Sequence, residues 1–313
     1  MPTDSAPHLI VPFASCSGDD WLQAMSSIEL TNLGKLLGGM KGVETDAGQA
    51  DSLCPPHERL LAKAWGLPAS ADGLIPWAAL EAKANLNEGW AVITPCHWAM
   101  GREHATLTDP ATLGLLEAES RTLLAAMQPY FATEGITLHY LEPTRWLANG
   151  EVFCSLPTAS LDRVLGRNVD RWLPPSKQIK LLQNEMQMLL YTHSVNDERA
   201  AKGQRSINSF WVSGSGALTH AAIEAPQVSL TRALAASAFA NDWTAYTQAW
   251  AQLDATEIAQ LLTQQKSGKT VRVSLCGESN AMTFETIKQG FLAQIKNVLS
   301  PQPPFKKLKQ LQK

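Results

Sequence analysis

Eight residues whose side chains or backbone could handle an anion stand close together between positions 193 and 216. They fit the pattern H-x2-N-x2-R-x3-G-x4-N-x2-W-x2-G-x-G and are His193, Asn196, Arg199, Gly203, Asn208, Trp211, Gly214 and Gly216, here called the central motif. The guanidinium of Arg199 is a planar fork of donors that suits a phosphate. Gly214 and Gly216 would let successive backbone N–H groups turn towards one anion. The central motif therefore predicts a phosphate-binding loop.

The same residues also have purely structural interpretations. Asn196 and Asn208 could hold loop backbone by hydrogen bonds, and Asn208 could equally cap a turn. Trp211 could form the wall of a pocket or belong to a core. A bare Gly-x-Gly also occurs in tight turns, and no third glycine completes a dinucleotide-binding fingerprint. Both interpretations stay open for Arg199 and His193.

A second polar segment, PCHWAMGREH, contains Cys96, His97 and His104 directly after a strand-like run. Thiolate and imidazole groups are ligands that suit zinc or manganese. Their spacing matches no compact metal site, and histidines in a polar loop often bond to backbone groups. Cys96, His97 and His104 are therefore candidates for a divalent metal, but no metal is assigned.

Three residues near the start of the chain could supply a nucleophile. Ser15, Cys16 and Ser17 lie between a predicted strand and a predicted helix, whose N-terminus would lower the pKa of a thiol. No general base accompanies them in the sequence. The catalytic residues therefore stay unassigned.

The elements that would position these residues are short strands separated by helical segments. Predicted strands cover residues 8–14, 90–94, 136–141, 145–148, 207–213 and 270–276. Predicted helices cover 20–37, 56–65, 76–84, 110–127, 175–191 and a stretch that begins at an Asn241 or Asp242 cap. This order favours an α/β fold with a mainly parallel sheet sandwiched by helices. Because ligands of such sheets bind beyond the carboxyl ends of the strands, the loops at 15–20, 95–97, 214–216 and 277–280 are expected to meet at one edge.

The predicted organisation is one α/β domain over residues 1–300, with an inserted lobe at about 110–190 and a frayed basic tail at 301–313. Within the last predicted strand, side chains alternate between two sides. One side is expected to be buried and the other wet or facing a site, with Arg272, Ser274 and Cys276 on the second side.

Composition excludes several classes of protein. The 313 residues are 45% hydrophobic, which is enough for a large core, and the net charge of -3 gives no field that would attract nucleic acid or an anionic membrane. Five cysteines without a C-x-x-C pair argue against a disulfide framework and favour a reducing compartment. No run approaches the roughly 18 apolar residues of a membrane span. A cytoplasmic protein without nucleic-acid or membrane partners is predicted, and its oligomeric state is not indicated.

The central motif resembles the internal motif of the archaeal-type cofactor-independent phosphoglycerate mutases, which belong to the alkaline phosphatase superfamily. The chain is also similar, over a longer stretch that includes PCHWAMGREH, to an uncharacterised proteobacterial group labelled as phosphoglycerate mutases or as regulatory proteins. The resemblance implies a parallel sheet between helices, possessing an inserted lobe. It implies phosphoryl transfer through a covalent serine intermediate, with two divalent metals held by Asp and His residues. On this resemblance, a small phosphorylated metabolite would be bound by His193, Asn196, Arg199, Asn208, Trp211, Gly214 and Gly216.

The chain departs from the mutase pattern at the metal ligands. The family's first strand ends in a metal-binding Asp followed by glycine, whereas this chain has FASCSGDD, with Asp19 displaced. His220 is the one histidine after Trp211, so the family's downstream Asp and His pairs are not visible. Two hypotheses follow. The protein is a phosphoglycerate-mutase-like isomerase or phosphatase that uses Mn or Zn, or it is a non-catalytic regulatory or interaction protein on the same fold.

Overall fold

The computed structural model describes residues 6–68, 71–222, 227–287 and 304–312, and its elements are numbered here in chain order. The chain folds into two compact units. Unit 1 comprises Met1–Asp51, Pro55–Trp65 and Glu224–Lys313, and unit 2 comprises Ser52–Cys54 and Gly66–Ile223. These boundaries differ from the lobe expected at about 110–190, because a helix and a strand that precede residue 110 pack with the strands that follow it.

Unit 1 combines one sheet with helices. Its strands are β1 (His8–Val11), β2 (Met40–Ala47), β9 (Val228–Leu230), β10 (Arg272–Cys276) and β11 (Asn280–Thr286). Its helices are α1 (Asp19–Ser26), α2 (Thr31–Gly38), α3 (Pro56–Ala64), α9 (Ala235–Ala240), α10 (Trp243–Leu253), α11 (Ala259–Lys266) and α12 (Pro304–Gln310). A π-helical turn at Asp254–Ile258 joins α10 to α11.

The sheet of unit 1 has the strand order β2-β11-β10-β1-β9. Strand β1 is parallel to both of its neighbours, whereas β11 is antiparallel to β10 and to β2. Leu9 and Val11 pack into a core that includes residues of α1, α2, α10 and α12, while Ile10 packs on the opposite face with Leu60 of α3. Helices therefore cover both faces of this sheet, as the sequence predicts.

Burial on both faces corrects one expectation for β10. Ser274 and Cys276 have no exposed surface, although their side of the strand was expected to be wet or to face a site. The hydroxyl of Ser274 lies 2.7 Å from that of Thr283 on β11, so its polarity is satisfied within the sheet. Alternation along a strand indicates which residues share a face, but the covering helix α3 decides whether that face is wet.

The basic segment near the C-terminus is also more ordered than expected for the residues that the structure describes. Residues 304–310 form α12, and its Leu308 is buried in the core of unit 1, together with Leu311 just beyond the helix. Phe305 stacks on Trp21 with ring centroids 6.1 Å apart. The apolar residues at 305, 308 and 311 thus form one helical stripe, and the prediction of a frayed end is wrong for residues 304–312.

Unit 2 contains an antiparallel sheet, a short hairpin and helices. Its strands are β3 (Trp90–Cys96), β4 (Trp98–Met100), β5 (Ala105–Leu107), β6 (Thr137–Glu142), β7 (Arg145–Asn149) and β8 (Ser209–Gly216). Its helices are α4 (Trp77–Glu81), α5 (Glu117–Thr133), α6 (Leu161–Val164), α7 (Lys177–Tyr191) and α8 (Ser194–Ala201). Short 3-10 helices occupy Pro110–Thr112, Glu151–Cys154 and Val169–Trp172.

The larger sheet of unit 2 has the strand order β6-β7-β3-β8, and all of its pairings are antiparallel. Ile93, Trp146 and Phe210 pack in a core with residues of α5 and α7, while Val92 and Leu147 pack with Ala78 of α4 on the other face. The segments β4 and β5 pair as a separate hairpin.

The mixture of helices and strands confirms the predicted α/β class, but the pairing is less parallel than expected. Among the described strands, parallel ladders join only β1 to its two neighbours. In unit 2, Cys96 pairs with Ser209 and Trp90 pairs with Gly216, so the loop after β3 and the glycines of β8 lie at opposite ends of the sheet. The expectation that four loops meet at one edge of one sheet is therefore wrong, because long-range antiparallel pairing separates them.

Candidate functional site

Arg199 of the central motif lies on α8 and has no exposed surface. Its Nε donates to the carbonyl of Arg205 at 2.8 Å, one terminal nitrogen donates to Glu119 Oε2 at 2.8 Å, and the other donates to the carbonyl of Leu113 at 2.6 Å. Glu119 Oε2 also accepts the backbone N–H of Leu116 at the start of α5. Arg199 thus joins α8 to the N-terminus of α5, which gives this arginine a structural role.

The asparagines and the histidine of the motif hold backbone groups. Asn196 donates to the carbonyls of Leu190 and Ile207, and its Oδ1 accepts the N–H of Ile207, each at 2.8 Å. Asn208 bonds both the N–H and the carbonyl of Trp98. His193 Nδ1 accepts the N–H of Val195 at 3.2 Å and caps α8. These bonds agree with the interpretation that the two asparagines pin loop backbone.

The glycines of the motif allow β8 to run close to α4. Gly214 has a positive φ of 59°, and a Cβ added there would lie 3.1 Å from Trp77 Cβ. A Cβ on Gly216, whose φ is 146°, would lie 3.0 Å from Pro76 Cβ. Between them, the buried Ser215 hydroxyl hydrogen-bonds Thr158 Oγ1 at 2.8 Å. The Gly-x-Gly here provides a close backbone approach.

Trp211 is buried, and its indole N–H donates to the carbonyl of Ala159 at 3.0 Å. Trp211 therefore belongs to the interior of unit 2, where its ring is packed and its indole N–H is hydrogen-bonded. Every residue proposed from the sequence as a phosphate ligand thus has a structural partner or packing role in the fold. Their substrate-binding role stays a prediction.

The three metal candidates from the sequence lie in unit 2. Cys96 is buried, and burial raises the pKa of its thiol, so the thiolate that binds metals is disfavoured. His97 Nδ1 lies 2.9 Å from the carbonyl of Ser206, and His104 is exposed. Among the described residues, these three side chains do not form a group of converging metal ligands.

A different set of loops converges in unit 1, at the edge where β1, β2 and β10 end. Val11 is level with Leu275, Cys276 with Ala281, and Asn280 with Ala47. A cavity of about 320 Å³ lies at this edge. Its lining comes from residues 15–17 after β1, 48–50 after β2, 278–280 at the turn from β10 into the start of β11, and 311–312 after α12, and it is here called the strand-end pocket. Two of the four loops selected from the sequence, 15–20 and 277–280, therefore do meet.

Hydrogen bonds between the loops fix the shape of the strand-end pocket. Ser17 N–H donates to Glu278 Oε1 at 3.1 Å, and Gly48 N–H donates to the carbonyl of Ser279 at 3.0 Å. Gln312 Nε2 donates to the carbonyl of Cys16 at 2.6 Å. The walls of the pocket are thus formed by segments that lie far apart in the sequence.

Ser15 is the most unusual group in the strand-end pocket. The residue is only 1% exposed, and its hydroxyl has no hydrogen-bond partner among the described residues. A buried hydroxyl without a partner costs about 1 to 3 kcal/mol. Native proteins rarely retain such a group without a reason, since most buried polar atoms are paired.

The backbone just before the pocket is strained. Phe13 has φ 56°, in the left-handed region that a residue with a large side chain rarely occupies. Its carbonyl accepts the hydroxyl of Tyr246 at 2.6 Å, and its ring packs edge-on against Phe239 with centroids 4.8 Å apart. Burial raises the pKa of Tyr246 well above its usual value, so the phenol remains a donor. These contacts hold the turn that leads to Ser15.

The two-metal centre implied by the resemblance does not fit the strand-end pocket. Such a centre needs several carboxylates and imidazoles around each ion. Among the described residues that line the pocket, Glu278 is the one carboxylate and histidine is absent. Asp46, at the end of β2, is paired with Arg59.

Sequence reasoning missed the contributions of residues 48–50 and of Gln312 to this pocket. The strand β2 that precedes residue 48 contains Lys41, Glu44 and Asp46, so its hydrophobic alternation is weak. The helix that precedes Gln312 lies in the segment for which the sequence predicts a frayed tail. The apolar stripe at 305, 308 and 311 was the available signal for that helix.

Comparisons with known proteins give a distant likeness only. No family model matches the chain, and no curated protein matches it. Among solved structures, it is similar to the cofactor-independent phosphoglycerate mutase from Thermoplasma acidophilum, with a TM-score of 0.35 and 13% identity over 99% of this chain and 100% of that one. It is also similar to the PH0037 protein from Pyrococcus horikoshii, with a TM-score of 0.42 and 9% identity over 98% of each chain. Function has to be argued from the residues themselves.

No helix in the described part of the chain has both the length and the apolar content needed to cross a bilayer.

Proposed function

We propose that the protein is a small-molecule-binding protein and that its ligand occupies the strand-end pocket. The observation that carries the proposal is Ser15, a residue of the pocket lining whose buried hydroxyl lacks a protein partner among the described residues. A ligand that hydrogen-bonds this hydroxyl would remove the cost of burying it. The volume of about 320 Å³ is within the range of small-molecule sites.

The charge of the lining limits the chemistry of the ligand. Among the described residues that line the pocket, Glu278 is the one carboxylate and none is a lysine or an arginine. A phosphate dianion bound here would be repelled by that carboxylate, and the nearby guanidinium of Arg59, which donates to the carbonyl of Ser279, is already paired with Asp46. The pocket therefore favours a polar ligand that is uncharged or cationic. This preference argues against a phosphorylated metabolite as the ligand of this pocket.

Strain next to the pocket supports a binding role. Residues held in sparsely populated backbone regions cost about 1 to 3 kcal/mol and cluster at functional sites. Phe13 is such a residue, and it lies two positions before Ser15. The contacts of its carbonyl and ring keep the following loop in one conformation before a ligand arrives, which reduces the ordering cost of binding.

A second candidate is the handling of a small phosphorylated metabolite by a mutase-like or phosphatase-like enzyme. One observation favours it. Ser15 and Ser17 lie directly before α1, whose N-terminus has no side-chain cap and carries the positive end of the helix dipole. In this case a serine hydroxyl at the end of β1 would face the phosphate.

Thermal unfolding with chemically distinct probes separates the two candidates. Glycerol represents an uncharged polyol, ethanolamine a small cation and 3-phosphoglycerate a phosphorylated metabolite. A ligand at 100 times its Kd stabilises the folded protein by about 2.7 kcal/mol, which raises Tm by several degrees. We expect Ser15→Ala and Glu278→Gln to reduce the shift given by an uncharged or cationic probe. Ser26→Ala and Glu29→Gln, two exposed positions of unit 1, are the matched controls.

The outcomes are distinct. Stabilisation by 3-phosphoglycerate, together with release of inorganic phosphate or mutase turnover that is lost in Ser15→Ala, would favour the enzyme. A shift that is unchanged by both pocket variants would reject the strand-end pocket as the binding site.

A further inference from the structure

Helix α7 of unit 2 has two apolar faces, and only one of them is covered by its own chain. Ile179, Leu182, Met186 and Leu190 pack in the core of unit 2. On the opposite side, Leu181, Met188 and Tyr191 are 52%, 74% and 82% exposed. Single exposed apolar residues are common on protein surfaces, but three of them on one helical stripe are not.

The exposed stripe has the spacing of a coiled-coil seam. Leu181, Asn184, Met188 and Tyr191 are separated by three, four and three residues, which corresponds to the a, d, a and d positions of successive heptads. These four residues are here called the α7 seam. Asn184, at a d position, is the one polar residue among these four, and the exposed Lys177 at the first residue of α7 occupies the preceding d position.

Charged residues beside the seam indicate which partner would fit. Lys180 precedes the first a position and so occupies a g position, while Glu185 follows Asn184 at an e position. Both are exposed, and neither has an ion-pair partner among the described residues of its own chain. In a parallel two-stranded pair, a g residue lies beside the e residue five positions later on the other helix. Lys180 would therefore lie beside Glu185 of a second copy, and the two-fold axis repeats the pair.

The antiparallel alternative fits less well. It would set the flank that carries Lys180 and Gln187 against the same flank of the other helix, so that no acidic group faces Lys180. The pattern of charge thus favours a second copy of this chain in parallel orientation over an unrelated apolar partner. We propose that two copies of the protein associate through the α7 seam about a two-fold axis parallel to the helix.

The proposed contact is small, because α7 has 15 residues and its seam covers about two heptads. The pair is therefore expected to form reversibly, in proportion to protein concentration. Sedimentation equilibrium of the full chain from about 1 μM to about 1 mM measures the dissociation constant in the range where weak pairs associate.

Four variants test the seam. Met188→Glu places a charge in the contact and is expected to raise the dissociation constant at least roughly tenfold. Met100→Glu is the matched control, because Met100 is 79% exposed on the β4–β5 hairpin, is not part of the seam, and should leave the constant unchanged. Lys180→Glu and Glu185→Lys each bring like charges together and are also expected to weaken self-association.

Exchanging the charges at positions 180 and 185 distinguishes a specific parallel dimer from non-specific association. Mixing the Lys180→Glu protein with the Glu185→Lys protein should give a mixed dimer tighter than either variant alone, and the double variant should recover the original constant within about threefold. Circular dichroism of each variant checks that the chain is folded. A protein that stays monomeric over the whole range, or a dimer that Met188→Glu leaves intact, would overturn the proposal. So would a mixture that associates no better than its components.

Discussion

The central motif and the strand-end pocket differ in how completely their polar groups are paired. Arg199, Asn196 and Asn208 each make two or more hydrogen bonds to protein groups. The hydroxyl of Ser15 makes none among the described residues. A cluster of polar residues that stands out in the sequence can therefore serve only to hold the fold together. A single serine after a strand can have a hydroxyl that remains unpaired and could bind a ligand.

The largest expected effect comes from removing the buried arginine of the motif. Arg199→Ala would leave Glu119 buried without its cation, and loss of one partner of a buried pair costs about 3 to 5 kcal/mol. Urea unfolding measures the change. Arg145→Ala is the control, because Arg145 and Glu81 form a pair near the surface of the same unit and such pairs contribute less than about 1 kcal/mol. If the two substitutions lowered the free energy of unfolding equally, the structural role assigned to Arg199 would be contradicted.

A pH effect is expected in unit 1 at the other end of β1. Burial, with help from Arg272, lowers the pKa of His8 to about 4. Between pH 6.5 and 4, the unfolded chain therefore binds a proton at this site and the folded chain does not. Acidification over this range should reduce stability by roughly 2 to 3 kcal/mol, and this site causes no further loss below pH 4.

The His8→Gln variant checks that assignment. Its stability, followed by chemical unfolding at a series of pH values, should fall less than that of the unchanged protein between pH 6.5 and 4. Hydrogen exchange would locate the loss in unit 1. A loss that appears first in unit 2 would contradict the assignment to His8.

A smaller destabilisation is expected at the glycines of the motif. Gly214→Ala combines a positive φ with a Cβ placed 3.1 Å from Trp77 Cβ, and we expect a cost of about 1 to 3 kcal/mol. Gly203 has a similar φ of 69° but open space around the added Cβ, so Gly203→Ala should cost about 1 kcal/mol. Thermal unfolding of both variants separates the steric cost from the conformational cost. If Gly203→Ala were the more harmful, close packing against α4 would not explain Gly214.

The smallest effect on stability is expected in the pocket. Ser15→Ala removes a buried hydroxyl that has no described protein partner, so the free energy of unfolding should stay within about 1 kcal/mol of the original value or rise. The same substitution is expected to weaken ligand binding. A loss of stability comparable to that of Arg199→Ala would mean that Ser15 is part of the scaffold as well.

Local elements were predictable where the sequence carries a local signal. The apolar run at 8–14 contains β1, the 3.6-residue periodicity at 175–191 gives α7, and Asp242 caps α10 by accepting the N–H of Ala245 at 2.9 Å. The buried aromatic face of α10, with Tyr246 and Trp250, was also predicted correctly.

Long-range pairing was not predictable from one sequence. Nothing near β3 indicates that it pairs antiparallel to β8, since a buried strand reads as the same apolar run in either orientation. Nothing near Arg199 indicates Glu119, which lies 80 positions earlier. For the candidate site, the rule that loops after strands bind ligands selected residues 15–17 and 278–280, and the structure brings these two loops together around the strand-end pocket. It also selected 214–216, and the sequence could not indicate that these glycines allow a close approach to Pro76 and Trp77.

The position of β1 in its sheet has a consequence for biosynthesis. β1 leaves the ribosome before most of unit 2, but both strands that flank it, β9 and β10, are translated only after all of unit 2. Unit 2 is almost continuous in the chain and can fold as soon as it emerges. During that time the apolar segment His8–Val11 lacks its neighbouring strands, so newly made chains should depend on a chaperone that shields this segment until β9 and β10 have been translated.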